Sequence, residues 1–538
     1  MSANLSRRTF TLGTAGLGLV GALGLVGCSS QQGGGGGAEQ GSGRLPAYIP
    51  YEGLTPDLPT TEDGLPAGFF AYPADPVQAF TEPPGDGDPV SAIVQTSEPI
   101  PPAVDNNPYW QELNARLGSD LQVAMTPAGD YASKFATIVA GDELPDVFQV
   151  ARGANQVPQL LAAKALDLSP YLAGDAIADY PMLANIPTES WQHGMFDGKI
   201  LAVPVPRGVL QSTIQYARAD LLRELGITAA PTNFQEYFDL CKEVTAPTAN
   251  TWALTSVPTN YIMQMLSVPN GWREEGGSLI HYSEVEEMPE ALEAARTMYE
   301  AGVVVPDSFA VNGSQYKQWF MAGAALFTGD SYSAWPAYYA QSGGIEGFEL
   351  AGLDMPGYDG GEGSIWVRSP THSIVAVNQQ SEARAEVILG IMNWLAAPFG
   401  TEEYRFRKYG VQDHNFTLDG SDPVRIEETT GETFLGIQYL ADAPTALYLP
   451  GNAGVVQAQY EQMGRVIPGG SPDPTEALYS ETKTRKYSGL TDVLNAVRDD
   501  IIQGRREVSD WAAEVETFKT NGGDTIRAEL EEALAAQA

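Results

Sequence analysis

From Pro89 onward the chain alternates extended apolar runs with amphipathic helical ones, and this alternation constrains its fold more than any other feature. Ala92-Ile93-Val94 reads as a strand and Tyr109 to Leu117 as a helix, after which Leu121 to Met125 alternates again. A helix follows from Asp130, with Tyr131, Phe135, Ile138 and Val139 on its apolar side and Gly141 as its C-terminal stop. Leu144-Pro145-Asp146 then leads into the strand Val147-Phe148-Gln149-Val150. Repeated strand, helix, strand units predict an α/β fold, a parallel sheet with helices on its faces, whose ligand crevice lies at the carboxyl ends of the strands. A chain of 538 residues that is 43% apolar and 18% charged can fill at least two packed units.

The formal net charge of −38 opposes the phosphate neutralisation that drives nucleic-acid binding, so no DNA or RNA partner is expected. The same charge repels an anionic membrane surface, which leaves a covalent lipid or an inserted helix as the route to a membrane. The N-terminus offers one. Ser6-Arg7-Arg8-Thr9-Phe10 precedes an apolar, glycine-rich run from Leu12 to Gly27 that ends in Leu25-Val26-Gly27-Cys28. This resembles a lipoprotein signal peptide of the twin-arginine kind, too short and glycine-rich for a stable span. Thr11 stands where a leucine is more usual, so twin-arginine and general export both stay open. The resemblance implies that residues 1–28 are the signal peptide, with Cys28 the acylated residue at the extracytoplasmic face of the cell membrane. An ordinary signal peptide or an uncleaved anchor helix would also export the chain.

Cys241 is the only other cysteine, so a lipidated Cys28 leaves no intrachain disulfide. Thr232 and Gln235 form a capping box, and Phe234, Phe238 and Cys241 then share a helical face, which makes Cys241 a core thiol. His193, His281, His372 and His414 lack paired metal-ligand spacing; no metal or cofactor is expected, with calcium left open. Residues 29–88 carry the unbroken run Gly33 to Gly37 and recurrent prolines, the composition of a tether. Tyr48, Tyr51, Phe69, Phe70 and Tyr72 point the other way, toward packing of its second half on the folded body.

Several motifs carry a family resemblance. Gly129-Asp130-Tyr131 through Lys134 and Ala140 to Val147 come first, and Asp197-Gly198-Lys199-Ile200-Leu201-Ala202-Val203-Pro204 follows. Tyr216 to Ile227 with Pro231-Thr232, then Trp319-Phe320 to Phe327, come next in order. Gly504-Arg505, Val508-Ser509-Asp510-Trp511 and Asn521 to Asp524 close the series. Together they resemble the family 1 extracellular solute-binding proteins of ABC importers, in particular the LplA-like lipoprotein branch, over most of residues 89 to 538. The resemblance implies a periplasmic-binding-protein-like type II fold: two α/β lobes joined by hinge strands, working as a monomer beside an ABC transporter permease. It also implies capture of a small solute, a sugar or oligosaccharide, without catalysis.

Two extended runs support the hinge directly. Gln211 to Tyr216 follows the cluster Pro204-Val205-Pro206-Arg207-Gly208, and Ser373 to Val377 precedes a helix from about Ser381 to Ala397. Lobe one is then 89–212 with 372–435, and lobe two 213–371 with 436–538. Sugar sites pair flat aromatics with planar polar side chains in a closing cleft. Arg207 lies beside the first crossover, and Asp330, Tyr332 and Trp335 follow the Ala324 to Phe327 strand. Trp366, Arg368 and His372 flank the second crossover, and Trp191 precedes the Asp197 segment. These eight are the candidate ligand contacts, with core packing as their competing role; Trp272 and Trp394 read as scaffold. A secreted carbohydrate-active hydrolase needs two carboxylates at a fixed separation, which 68 acidic residues can supply. No nucleophile elbow, phosphate loop or H-E-x-x-H accompanies them. A surface binding or sensor protein for a peptide or other solute is the third alternative, since a fold does not choose its ligand.

Overall fold

A computed structural model describes residues 44–537 apart from 152, 153, 155, 312 and 344. The signal-peptide segment 1–28 with Cys28, and tether residues 29–43, lie outside the described residues.

The strands that organise the molecule are β1 Val90–Thr96, β2 Leu121–Pro127, β3 Val147–Gln149, β4 Val203–Pro206, β5 Thr213–Arg218, β6 Trp252–Leu254, β7 Ala325–Ser331, β8 Leu350–Gly352 and β9 Thr371–Val377. They build a five-stranded sheet in the order β2-β1-β3-β9-β4 and a four-stranded sheet in the order β8-β5-β7-β6. Strand β1 pairs in parallel with β2 and β3, whereas β9 runs antiparallel to both β3 and β4. In the second sheet β5 is antiparallel to β7 and β8, and β7 is parallel to β6. Both sheets are therefore mixed, not wholly parallel. The strand, helix, strand repeats give the parallel pairs; β9 returns from the other sheet and enters from the crevice end, so it must run against β3.

Local signals set the helices. In the helix Pro108–Leu117 the Asn107 side chain accepts from Trp110 N at 3.0 Å, and Gly118 stops the helix at φ 67°. The helix Phe234–Val244 starts one residue later than the Thr232 box predicts. Asn233 Oδ1 takes the Glu236 N–H at 2.9 Å, while the Glu236 carboxylate accepts from Thr232 N and Oγ1. Asparagine outranks threonine as an N-cap, which is why the start moves. Asn233→Ala is expected to cost about 1 kcal/mol, read as a lower urea midpoint with an unchanged m-value. Phe234, Tyr237 and Cys241 face the core of this helix, and burial pushes the Cys241 thiol pKa far up, as suits an inert core thiol.

The two sheets pack against separate cores, and the first sheet carries a further cluster with Ile93, Phe148 and Ala376 beside Tyr131 and Phe135. Val94, Leu113, Trp191, Val203, Val375 and Leu389 belong to the first; Tyr216, Leu254, Phe327, Trp335, Ile365 and Phe518 to the second. Leu440 and Ala441 pack in the first and Leu447 in the second. Trp272 and Trp394 are buried, the former in a hairpin of Trp272–Glu275 with Ser278–His281. From Arg44 to Asp88 the structure overturns the tether expectation. The chain there lies on the body, with Phe69 stacked on Phe399 at 4.3 Å and Tyr72 Oη donating to Thr401 O at 2.6 Å. Buried rings supply the apolar surface that glycine and proline lack, which is what orders the segment. No helix among the described residues is long and apolar enough to cross a membrane.

Candidate functional site

The crevice is built where the chain passes between the lobes. Strand β4 leads through Arg207-Gly208 to β5, and Trp366–Val367 leads through Arg368-Ser369-Pro370 to β9. The two passages are bonded to each other. Arg207 N and Gly208 N both donate to Pro370 O, at 2.9 and 3.0 Å, and Arg368 N donates to Ser212 Oγ at 3.1 Å. Pairing of Thr371 with Pro206 and of Val375 with Gln149 puts the start of β9 and the ends of β3 and β4 at the same edge of the sheet.

A cavity of about 980 Å³ opens against these passages. Glu189, Gln192 and His193 line it from the first lobe, Asp473 and Glu476 from the second, and Arg207 and Arg368 from the crossings. Pro206, Pro370, Pro398, Pro444, Pro472 and Pro474 are among its lining residues. That volume sits at the upper end of small-molecule pockets, which run from about 300 to 1,000 Å³. A second, smaller hollow of about 420 Å³ lies in the second lobe beyond the carboxyl end of β6. Ser256, Thr259, Asn260 and Gln264 line it beside Tyr316 and Phe309, whose ring is 37% exposed. Flat rings beside amides and hydroxyls are the chemistry that takes C–H faces and hydroxyl rims.

Charge is set locally. Burial lowers the His193 pKa and Glu476, from the other lobe, opposes it, so the imidazole is neutral at neutral pH. Burial raises the Asp473 carboxyl, with Lys483 pulling the other way. Beneath the crossings Asp442 accepts from Arg407 Nη1 at 2.8 Å and Lys408 Nζ at 3.1 Å. Burial alone would raise the Asp442 pKa, yet Lys408, Arg407 and Arg207 hold it well below the carboxylate range. Burial pushes the Lys408 amine down to about 8 against the pull of Asp442.

Of the eight residues singled out from sequence, Arg207 and Arg368 line the large cavity together. Asp330 stands at the crevice end of β7, next to Gly329 of the smaller hollow, where it accepts from Tyr338 Oη at 3.0 Å and meets Lys317 Nζ at 3.2 Å. His372 opens β9 with its ring 5.1 Å from Tyr439. Trp191, Tyr332, Trp335 and Trp366 are core side chains, exposed by 1%, 0%, 1% and 9%. Trp335 begins the helix Trp335–Gln341 and turns its ring, like Tyr338, onto Tyr216. Trp366 Nε1 is spent on Val268 O at 2.8 Å. Ser256, Thr259, Asn260 and Gln264 of the smaller hollow are not among those eight; their signal in the sequence is their position just after the short strand β6, where the crevice rule places ligands.

The sequence profile of the bacterial extracellular solute-binding proteins matches residues 104–401. The chain belongs to that family. This solute-binding protein is 20% identical over 474 residues to lipoprotein LipO of Bacillus subtilis, covering 83% of this chain and 92% of LipO. It is 22% identical to the polygalacturonan/rhamnogalacturonan-binding protein YtcQ of the same organism, over 72% of this chain and 83% of YtcQ. In three dimensions it superposes on the N-glycan transport solute-binding protein NgtS of Streptococcus pneumoniae with TM-score 0.62 at 14% identity, over 83% of this chain and 98% of NgtS. The two-lobed type II binding-protein fold is shared. Family membership makes the chain a binding protein and removes the hydrolase alternative.

Proposed function

We propose that this solute-binding protein, anchored through an acyl group on Cys28, closes its two lobes on an oligosaccharide and presents the closed form to an ABC importer. The observation that carries this reading is the cavity of about 980 Å³ with walls from both lobes and from the crossings, large for a single sugar ring. A solute touching both lobes favours the closed state by its differential contacts, and the permease then reads the closed shape. The polysaccharide-binding name of YtcQ and the N-glycan transport name of NgtS support the ligand class. Arg207 and Arg368 donate to ring and hydroxyl oxygens, and Glu189, Asp473 and Glu476 accept from hydroxyls.

A thermal-shift screen over mono-, di- and oligosaccharides, peptides and polyols tests it. An oligosaccharide at a hundred times its Kd is expected to add about 2.7 kcal/mol to the folded state and raise the midpoint, with Arg368→Ala blunting the rise. A midpoint that responds to peptides and to no glycan selects the sensor reading instead. Mass spectrometry of the wild-type protein from membrane fractions is expected to find a diacylglyceryl thioether on Cys28, absent in Cys28→Ser; an unmodified Cys28 refutes the acyl anchor.

A further inference from the structure

The segment ahead of β1 touches both lobes in turn. It starts on the first, where Ala47 N donates to Gly174 O and Ile49 N to Ala184 O, both at 2.9 Å, and Tyr51 N donates to Asn185 Oδ1 at 3.0 Å. It then moves to the second. Tyr460 Oη donates to Pro59 O at 2.6 Å, and Leu65, 2% exposed, is part of the second core beside Val209. Leu58 and Gly68 exchange hydrogen bonds of 3.1 and 2.8 Å, which closes the intervening residues into a loop seated on that lobe. Ala67 and Phe69 bond in turn to Leu447, where the last crossing enters the second core. The chain then goes back to the first lobe. Tyr72 Oη donates to Thr401 O, Ala79 N and Phe80 N donate to the Glu403 carboxylate at 3.1 and 3.0 Å, and Asp86 pairs with Arg384.

We infer that residues 44–88 are a strap that links the two lobes independently of the hinge and limits how far they part. The connectors between anchors are short. Gly68 to Tyr72 spans at most about 14 Å at full extension, and Tyr51 to Leu58 about 25 Å, so wider separation has to tear an anchor out. The strap also walls the large cavity with Tyr51, Thr60, Glu62 and Leu65, so its seating and the cavity's width move together. Any pull on the N-terminus reaches the lobe interface through it.

The test is a distance measurement on solute-free protein, which makes it independent of what the cavity binds. Spin labels go on Gln122→Cys and Glu243→Cys, both exposed, one on each lobe, in the full chain carrying Cys28→Ser. Cys241, fully buried, is out of the reagent's reach. A specific protease sequence inserted between the exposed Glu62 and Asp63 allows the strap to be cut after folding. Cutting is expected to shift the label distance longer and broaden its distribution. An unchanged distribution after complete cleavage overturns the strap. Should the cut chain lose its native circular dichroism, uncut Leu65→Ala, which loosens only the second-lobe anchor, supplies the reading: a longer, broader distance supports the strap and an unchanged one refutes it.

Discussion

Asp442→Asn is expected to lower the unfolding free energy by about 3–5 kcal/mol, the cost of stripping a buried cation of its counter-charge. Arg407 and Asp442 have side chains only 1% and 7% exposed, and Lys408 Nζ shares the second carboxylate oxygen. Arg407 Nη2 is committed to Ala397 O at 3.0 Å, so the guanidinium has no route to water when the charge opposite it is removed. An asparagine keeps the shape and one acceptor but leaves the cations facing one another. The measurement is the urea midpoint of Asp442→Asn, set beside the triple variant Arg407→Met, Lys408→Met and Asp442→Leu. Apolar replacement of the whole cluster is expected to cost far less than the single change. A loss under about 1 kcal/mol in the single variant would mean that water reaches the cluster.

The second large effect concerns acid. His281 is fully buried, with Nδ1 2.8 Å from Ser283 Oγ, Nε2 3.0 Å from Tyr487 Oη and its ring stacked on Phe518 at 4.4 Å. Burial, then Arg527 and Lys483, push its pKa down to about 3. An unfolded histidine titrates near 6.5. Between those values the unfolded chain takes up a proton that the folded one refuses, so this contribution to stability is full above pH 6.5 and is lost as the pH falls. By pH 5 the loss is about 2 kcal/mol. His281→Gln lacks the titration; its deficit against the wild type is therefore expected to shrink by about that amount between pH 7 and pH 5. A deficit that stays constant over the range means the imidazole is not held neutral.

Periodicity exposed the framework of this molecule well and the crevice poorly. The apolar run Ala92-Ile93-Val94 marked β1, alternation from Leu121 to Met125 marked β2, the apolar side of Tyr131, Phe135 and Ile138 marked a helix, and the proline cluster before Arg207 marked the first passage between lobes. Such patterns say which face of an element is apolar. They do not say whether that face meets a sheet or a solute, and this is where Trp191, Trp335 and Trp366 went to the core while Arg207 and Arg368 reached the cavity. For Trp335 the i,i+3 partner Tyr338 carried the information, since two rings on one helical face need a wall to cover them. Strand direction was hidden for a different reason. Which way β9 runs depends on where the chain last was, and no local pattern records that. The composition of residues 29–88 argued for a tether because glycine and proline dominate the count, yet two of its rings, Phe69 and Tyr72, are buried, and each covers as much surface as several small residues.

The prolines that line the cavity have a mechanical meaning. With φ locked near −65° at Pro206, Pro370, Pro398, Pro444, Pro472 and Pro474, the backbone that lines the cavity has fewer torsions left to turn. Gly208, already at φ +58°, is the residue best able to absorb rotation between β4 and β5. On the proposed closure, motion confined to so few bonds would behave like a door on a pin, swinging along one arc so that a cargo meets either the open frame or the shut one.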